Sequence, residues 1–123
     1  MGEVEVRVDP DQLRQILWNL CENALKHAVR DDRLQSVELR YGRMGGGARP
    51  FIEVADRGTG VPPELSERIF EPFFSGGRGT GLGLFLAREL AQTNGATLLY
   101  EPRVNGGSIF RVVFSDPRRW EGR

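Results

Sequence analysis

One cysteine, Cys21, stands in 123 residues, so the chain forms no internal disulfide and carries no cysteine-based metal framework. It falls within a helical apolar pattern, where an inert buried thiol is expected. An excess charge of one sign is also missing: 17 basic and 17 acidic residues cancel. Nothing global therefore steers the surface toward nucleic acid or anionic membrane. No apolar run approaches the ~18 residues of a membrane span, and the start lacks a signal-peptide pattern. The expected setting is the cytoplasm. The abrupt Met1-Gly2 start, followed at once by a strand-like run, reads as a cut inside a longer protein.

Glycine is what the chain has in abundance, about twice the usual ~7% share. Seven of the 16 glycines fall between positions 58 and 83, in two clusters: Asp56-Arg57-Gly58-Thr59-Gly60 and Gly76-Gly77-Arg78-Gly79-Thr80-Gly81-Leu82-Gly83. Hydrophobic residues at 39% and charged ones at 28% place the segment among folded globular chains. The length suits one domain, 1–123, with 116–123 as a polar tail.

Val4, Val6 and Val8 alternate with charged residues, which predicts a half-buried strand. Asp9-Pro10 opens a helix. Leu13, Ile16, Leu17, Leu20, Cys21, Ala24 and Ala28 trace its buried face to about Val29. Strands are predicted at 37–41, 51–55, 97–101 and 108–115, the last two joined through Asn105-Gly106. A short helix is predicted from Pro62 through Phe70 and another over 82–93, stopped by Asn94-Gly95. Residues 71–80 read as a mobile flap. The expected class is α+β, a mixed sheet of about five strands with about three helices on one face.

Asn19 and Asn23 are four apart and share a helix face. An amide carbonyl is a hard oxygen ligand, and Mg²⁺ on nucleotide phosphates takes only one or two protein ligands. Asn23 is thus a metal-ligand candidate, against the plainer reading that both amides satisfy nearby backbone. Lys26, three residues on, reaches the same phosphate group or else is a solvated surface lysine. His27, the only histidine, has two open readings: contact to ribose or phosphates, or a packed imidazole at the helix end. Asp56 offers a carboxylate that accepts the exocyclic N–H of adenine and repels guanine, unless it merely caps a turn. The stretch Gly79-Thr80-Gly81-Leu82-Gly83 opens a helix whose first amides favour phosphate, with Arg78 placed to reach a terminal one. Phe70, Phe73 and Phe74 are too apolar for an ordinary exposed loop; they anchor or close the flap, or pack in the core.

These four elements, in this order, resemble the catalytic ATP-binding domain of sensor histidine kinases. Asn19 to His27 is similar to that family's N box, Asp56 to Gly60 to its first glycine box, Phe70 to Phe74 to its phenylalanine box, and Gly77 to Gly83 to its second glycine box. The resemblance implies a two-layer α/β sandwich (the Bergerat fold) shared with gyrase, heat-shock chaperone and mismatch-repair ATPases. It also implies ATP and Mg²⁺ as ligands. Asn23 would coordinate the metal, Asn19 and Lys26 would sit at the phosphates, and Asp56 would read adenine. Gly58 and Gly60 would shape the purine pocket, while Gly79, Thr80, Gly81 and Gly83 wrap the triphosphate. The short flap is similar to that of nitrogen-regulation and pilus-type kinases.

In the related ATPases a Glu commonly stands four places before the metal-binding Asn. Here that place holds Asn19, which is no base. Glu22 points about 100° from Asn23 on an ideal helix. Slow hydrolysis is expected, with the γ-phosphoryl kept for a histidine on a separate dimerising helical hairpin. His27, followed by Ala28-Val29, is not that acceptor. The resemblance implies that a response-regulator receiver takes the group onward and that the full-length kinase is anchored in the inner membrane; the isolated domain is expected to be a monomer. The competing readings are an ATP-hydrolysing conformational switch and a non-catalytic nucleotide-sensing module.

Overall fold

The computed structural model describes residues 5–74 and 81–115. Helix α1 spans Pro10–His27. Asp9 caps it, its Oδ1 accepting the amides of Asp11 and Gln12 at 2.9 and 3.0 Å. Those are two of the N–H groups a helix start leaves unpaired. Pro10, at the first helical position, has no N–H to lose. A two-residue hairpin follows, β1 (Val29–Arg30) and β2 (Arg33–Leu34). Its turn holds Asp31 and Asp32 at φ 54° and 62°, the mirror-image turn that suits a strand's twist.

The main sheet contains β3 (Val37–Met44), β4 (Arg49–Asp56), β5 (Thr97–Pro102) and β6 (Ser108–Val113). Its order is β3-β4-β6-β5, and every pairing is antiparallel. Helix α2 (Gly83–Thr93) lies beside α1 over one face of this sheet. Ile16, Leu20 and Ala24 of α1 meet Ala87 and Ala91 of α2 above Val54, Leu98, Phe110 and Val112. Alanines at 24, 87 and 91 let the two helices approach closely. Asn94 ties their ends: its Nδ2 donates to Gln12 Oε1 at 2.7 Å, and its Oδ1 accepts the Asp9 amide at 2.9 Å.

The two-layer sandwich is as expected, but its details differ. Among the described residues the sheet is antiparallel rather than mixed and has four strands rather than five. The expected first strand is absent among the described residues: residues 5–9 join no ladder, with Val6 and Val8 half-buried against the core, and Val4 lies outside the described residues. Alternation reports one-sided burial, and an extended segment lying on a core achieves that without a ladder. The predicted helix from Pro62 shrinks to a 3₁₀ turn at Pro63–Leu65. Beyond it the amides bond three residues back, as Arg68 does to Leu65 and Glu71 to Arg68, so turns succeed one another. The polar tail at 116–123 lies outside the described residues.

The sheet's other face carries an ion-pair ladder. Glu53, 4% exposed, lies directly across from Arg40 on β3 and Arg111 on β6. Its carboxylate is 2.6 Å from each guanidinium. Two cations satisfy both oxygens of a carboxylate that would otherwise be costly to bury.

Candidate functional site

Beside the core strip of α1 (Ile16, Leu20 and Ala24) runs a polar strip made by Asn19, Asn23 and Lys26. Facing it, the C-terminal end of β4 delivers Asp56, and the start of α2 delivers Gly81 and Gly83. These groups line one cavity of about 230 Å³. Val61, Leu65, Ile69, Phe74 and Leu84 supply an apolar wall, and Ser108 and Phe110 of β6 form the floor. A few placed polar groups on an apolar lining is the usual composition of a small-molecule site.

Asp56 is 2% exposed, and its Oδ1 accepts the Gly58 amide at 2.9 Å. The turn-capping reading is therefore correct for one oxygen, while the carboxylate also lines the cavity. Gly58 does not line it. A Cβ there would lie 1.8 Å from the His27 carbonyl oxygen, so glycine is what lets the loop after β4 pack on the end of α1. His27 lines the cavity itself, as does Gly60.

Asn19 is 8% exposed. Its Oδ1 accepts a hydrogen bond from Gln15 Nε2 at 3.0 Å, and its Nδ2 has no hydrogen-bond partner among the described residues. Glu22 also lines the cavity, although it is 100° around the helix from Asn23. Its Oε1 lies 3.8 Å from Lys26 Nζ, one helical turn on, as an i,i+4 pair allows.

Phe70 packs beneath the site rather than lining it. Its ring meets Phe110 edge-on at 6.2 Å and carries the Arg88 guanidinium 5.1 Å from its centre. Phe74 lines the cavity, whereas Phe73 is 74% exposed. Leu82 sits just before α2 and is not among the lining residues. Arg78, Gly79 and Thr80, with Gly77, lie outside the described residues. Ser108 and Phe110 were not singled out from sequence. Their alternation put them on one face of a strand, but only the β4–β6 pairing carries that face under the site. Cys21 is half-buried rather than fully buried, and that partial burial pushes its thiol above the ordinary range.

A donor-rich, partly cationic strip opposite a buried carboxylate defines a site for a ligand with an anionic end and a hydrogen-bond-donating end. The model of the histidine kinase-, DNA gyrase B- and HSP90-like ATPase family matches residues 8–118, and the chain belongs to that family. Among curated proteins it is 41% identical over 119 residues to the sensor protein kinase PilS of Pseudomonas aeruginosa, covering 96% of this chain and 22% of that protein. It is 38% identical over 117 residues to the histidine protein kinase DivJ of Caulobacter vibrioides, covering 90% and 19%. The chain thus spans about a fifth of the length of these relatives. Among solved structures it is similar to the catalytic domain of histidine kinase ThkA, with TM-score 0.73 and 30% identity over 89% of this chain and 69% of that one. It is also similar to full-length ShkA solved with AMPPNP, with TM-score 0.71 and 33% identity over 84% and 21%. The fold and the family are those of the histidine kinase ATP-binding domain.

Proposed function

We propose that this domain binds Mg-ATP in the cavity and donates the γ-phosphoryl group to a histidine on a separate helical domain of the same kinase. The observation that carries this reading is the convergence of Asn19, Asn23 and Lys26 with Asp56 and Gly81 around a single cavity. Adenine's exocyclic N–H would meet the Asp56 carboxylate. The phosphates would lie along the α1 strip, where Lys26 brings positive charge beside the Asn19 and Asn23 side chains.

The donor set suits Mg²⁺ carried in on the phosphates. Asn23 offers one amide oxygen at the cavity wall, and a nucleotide-borne Mg²⁺ needs only one or two such protein ligands. Among the described residues no group of three or more His, Cys, Asp or Glu side chains forms a self-sufficient cage. Bound there, Mg²⁺ would neutralise charge that develops on the transferring group. Phosphoryl transfer is mostly positioning and charge neutralisation, and this chain's residues supply both without a base. Position 19 is a neutral amide, and Glu22 is directed to Lys26. Hydrolysis is therefore expected to be slow, which favours the kinase over a hydrolysing switch.

The partners in this reading are the phosphoacceptor hairpin and, through the whole kinase, a response-regulator receiver. No helix among the described residues is long and apolar enough to cross a membrane. We place the domain on the cytoplasmic side. Mixing it with a separately made histidine hairpin and ATP labelled on the γ-phosphate tests the proposal. Label on the hairpin supports the kinase. Free phosphate as the main product would point to the switch, and retained binding with neither product to a sensing module.

A further inference from the structure

We infer that Tyr100 and Arg103, on the β5–β6 hairpin, are positioning residues for the loop that reads the base. They hold the chain after β4 so that Asp56 keeps a preference for adenine over guanine. The inference rests on the nucleotide reading above and extends it to two residues outside the cavity lining. The β4–β6 ladder ends at Ala55↔Ile109, one residue short of Asp56. From there to Val61 the ladder gives the chain no partner on its β6 side, yet Asp56, Gly60 and Val61 all line the cavity.

The hairpin supplies the missing support from both faces of the sheet. On the helix face, the Tyr100 ring packs against Phe110 at 5.3 Å, and its hydroxyl accepts the Val61 amide at 3.3 Å. On the open face, Glu38 holds Nη2 of Arg103, whose Nη1 donates to the Asp56 carbonyl at 3.4 Å. The Arg103 side chain is only 9% exposed, so burial and two acceptors together fix its guanidinium. The turn between them closes the grip. Arg57 Nη1 donates to the Val104 carbonyl at 2.8 Å, and a Cβ on Gly107 would lie 2.0 Å from the Asp56 carbonyl oxygen. Asp56 Oδ1 is bonded to the Gly58 amide of the same loop, so a loop that shifts takes the carboxylate with it. A carboxylate tells an N–H₂ from a carbonyl only while its direction is fixed, to within about 0.5 Å.

The test measures Kd for Mg-ATP and Mg-GTP by calorimetry on the 123-residue chain, with folding checked by circular dichroism. Tyr100→Phe removes one hydroxyl and keeps the ring. Arg103→Lys keeps a charge for Glu38 but lacks the fork that serves two acceptors at once. Each should lower the ATP-to-GTP affinity ratio about threefold, and the double variant about tenfold. In an Asp56→Asn background the double variant should change the ratio less than about twofold, since no carboxylate remains to aim. A double variant that keeps the wild-type ratio would overturn the inference. So would equal losses for ATP and GTP, which mark general loosening, or a fall that persists undiminished beside Asp56→Asn. If the double variant does not fold, the ratio in Tyr100→Phe alone decides. Those outcomes leave the nucleotide reading standing. A wild-type chain that binds ATP and GTP alike removes the base reading with this inference, and one that binds no ATP removes the whole proposal.

Discussion

Asp56 does two jobs with two oxygens. One shapes the turn that carries Gly58 and Gly60, and the carboxylate as a whole faces the cavity. Asp56→Asn keeps an oxygen for the Gly58 amide but removes the charge and can turn its N–H₂ toward the ligand. Its expected signature is lost preference for ATP over GTP, read by thermal shift, with little change in the melting temperature of the empty domain. Gly58→Ala should behave in the opposite way. The added carbon meets the His27 carbonyl, so stability falls by about 1–3 kcal/mol in chemical denaturation, the usual range for overpacking. Residues of this kind were legible because their type and order are unusual: Asn19, Asn23, Lys26 and Asp56 could be named before any fold was known. Glu22 was named too, but as pointing away from Asn23, whereas it lines the cavity. Which way a flexible side chain reaches is not carried by spacing along a helix.

Elements were legible where local chemistry decides them. The start of α1 follows from Asp9 and Pro10, and its two faces follow from the 3.6-residue period. Asp9→Ala should cost about 1 kcal/mol through loss of the two capping hydrogen bonds. Asn94→Ala should cost more, since it breaks the tie between α1 and α2, and denaturation of the two variants would rank them. What could not be read was decided by tertiary contact. The valine alternation before Asp9 looks the same whether the segment pairs or merely lies on the core. The hairpin at 29–34 escaped because the strand pairs are two residues each, too short to show a period.

At the scale of the whole molecule, the sheet's open face couples stability to charge. Glu53→Ala leaves Arg40 and Arg111 facing each other, and a loss of about 3 kcal/mol is expected, near the low end for a buried pair because Arg40 stays partly exposed. Glu38 is held below its ordinary range by the hydrogen bond from Arg103, helped by that guanidinium's charge. A carboxyl with a depressed folded-state pKa stabilises the fold above its unfolded value of about 4.5 and ceases to do so as pH falls through the folded value. Glu38→Gln should therefore melt below wild type at neutral pH, and the gap should shrink as pH falls below about 4.5.

The Phe73 amide donates to the Gly81 carbonyl at 3.0 Å, and Gly81, at φ +76°, has no room for a Cβ beside the Phe73 backbone. That bond joins the two shores of residues 74–80 into a neck whose width is set by one missing side chain. Everything hung from such a neck can vary in length at a closure cost that grows only logarithmically, about 0.6 kcal/mol per doubling. Lengthening the chain between 74 and 81 is therefore expected to leave the denaturation midpoint nearly unchanged, whereas Gly81→Ala, which forces the Phe73 backbone away, should lower it.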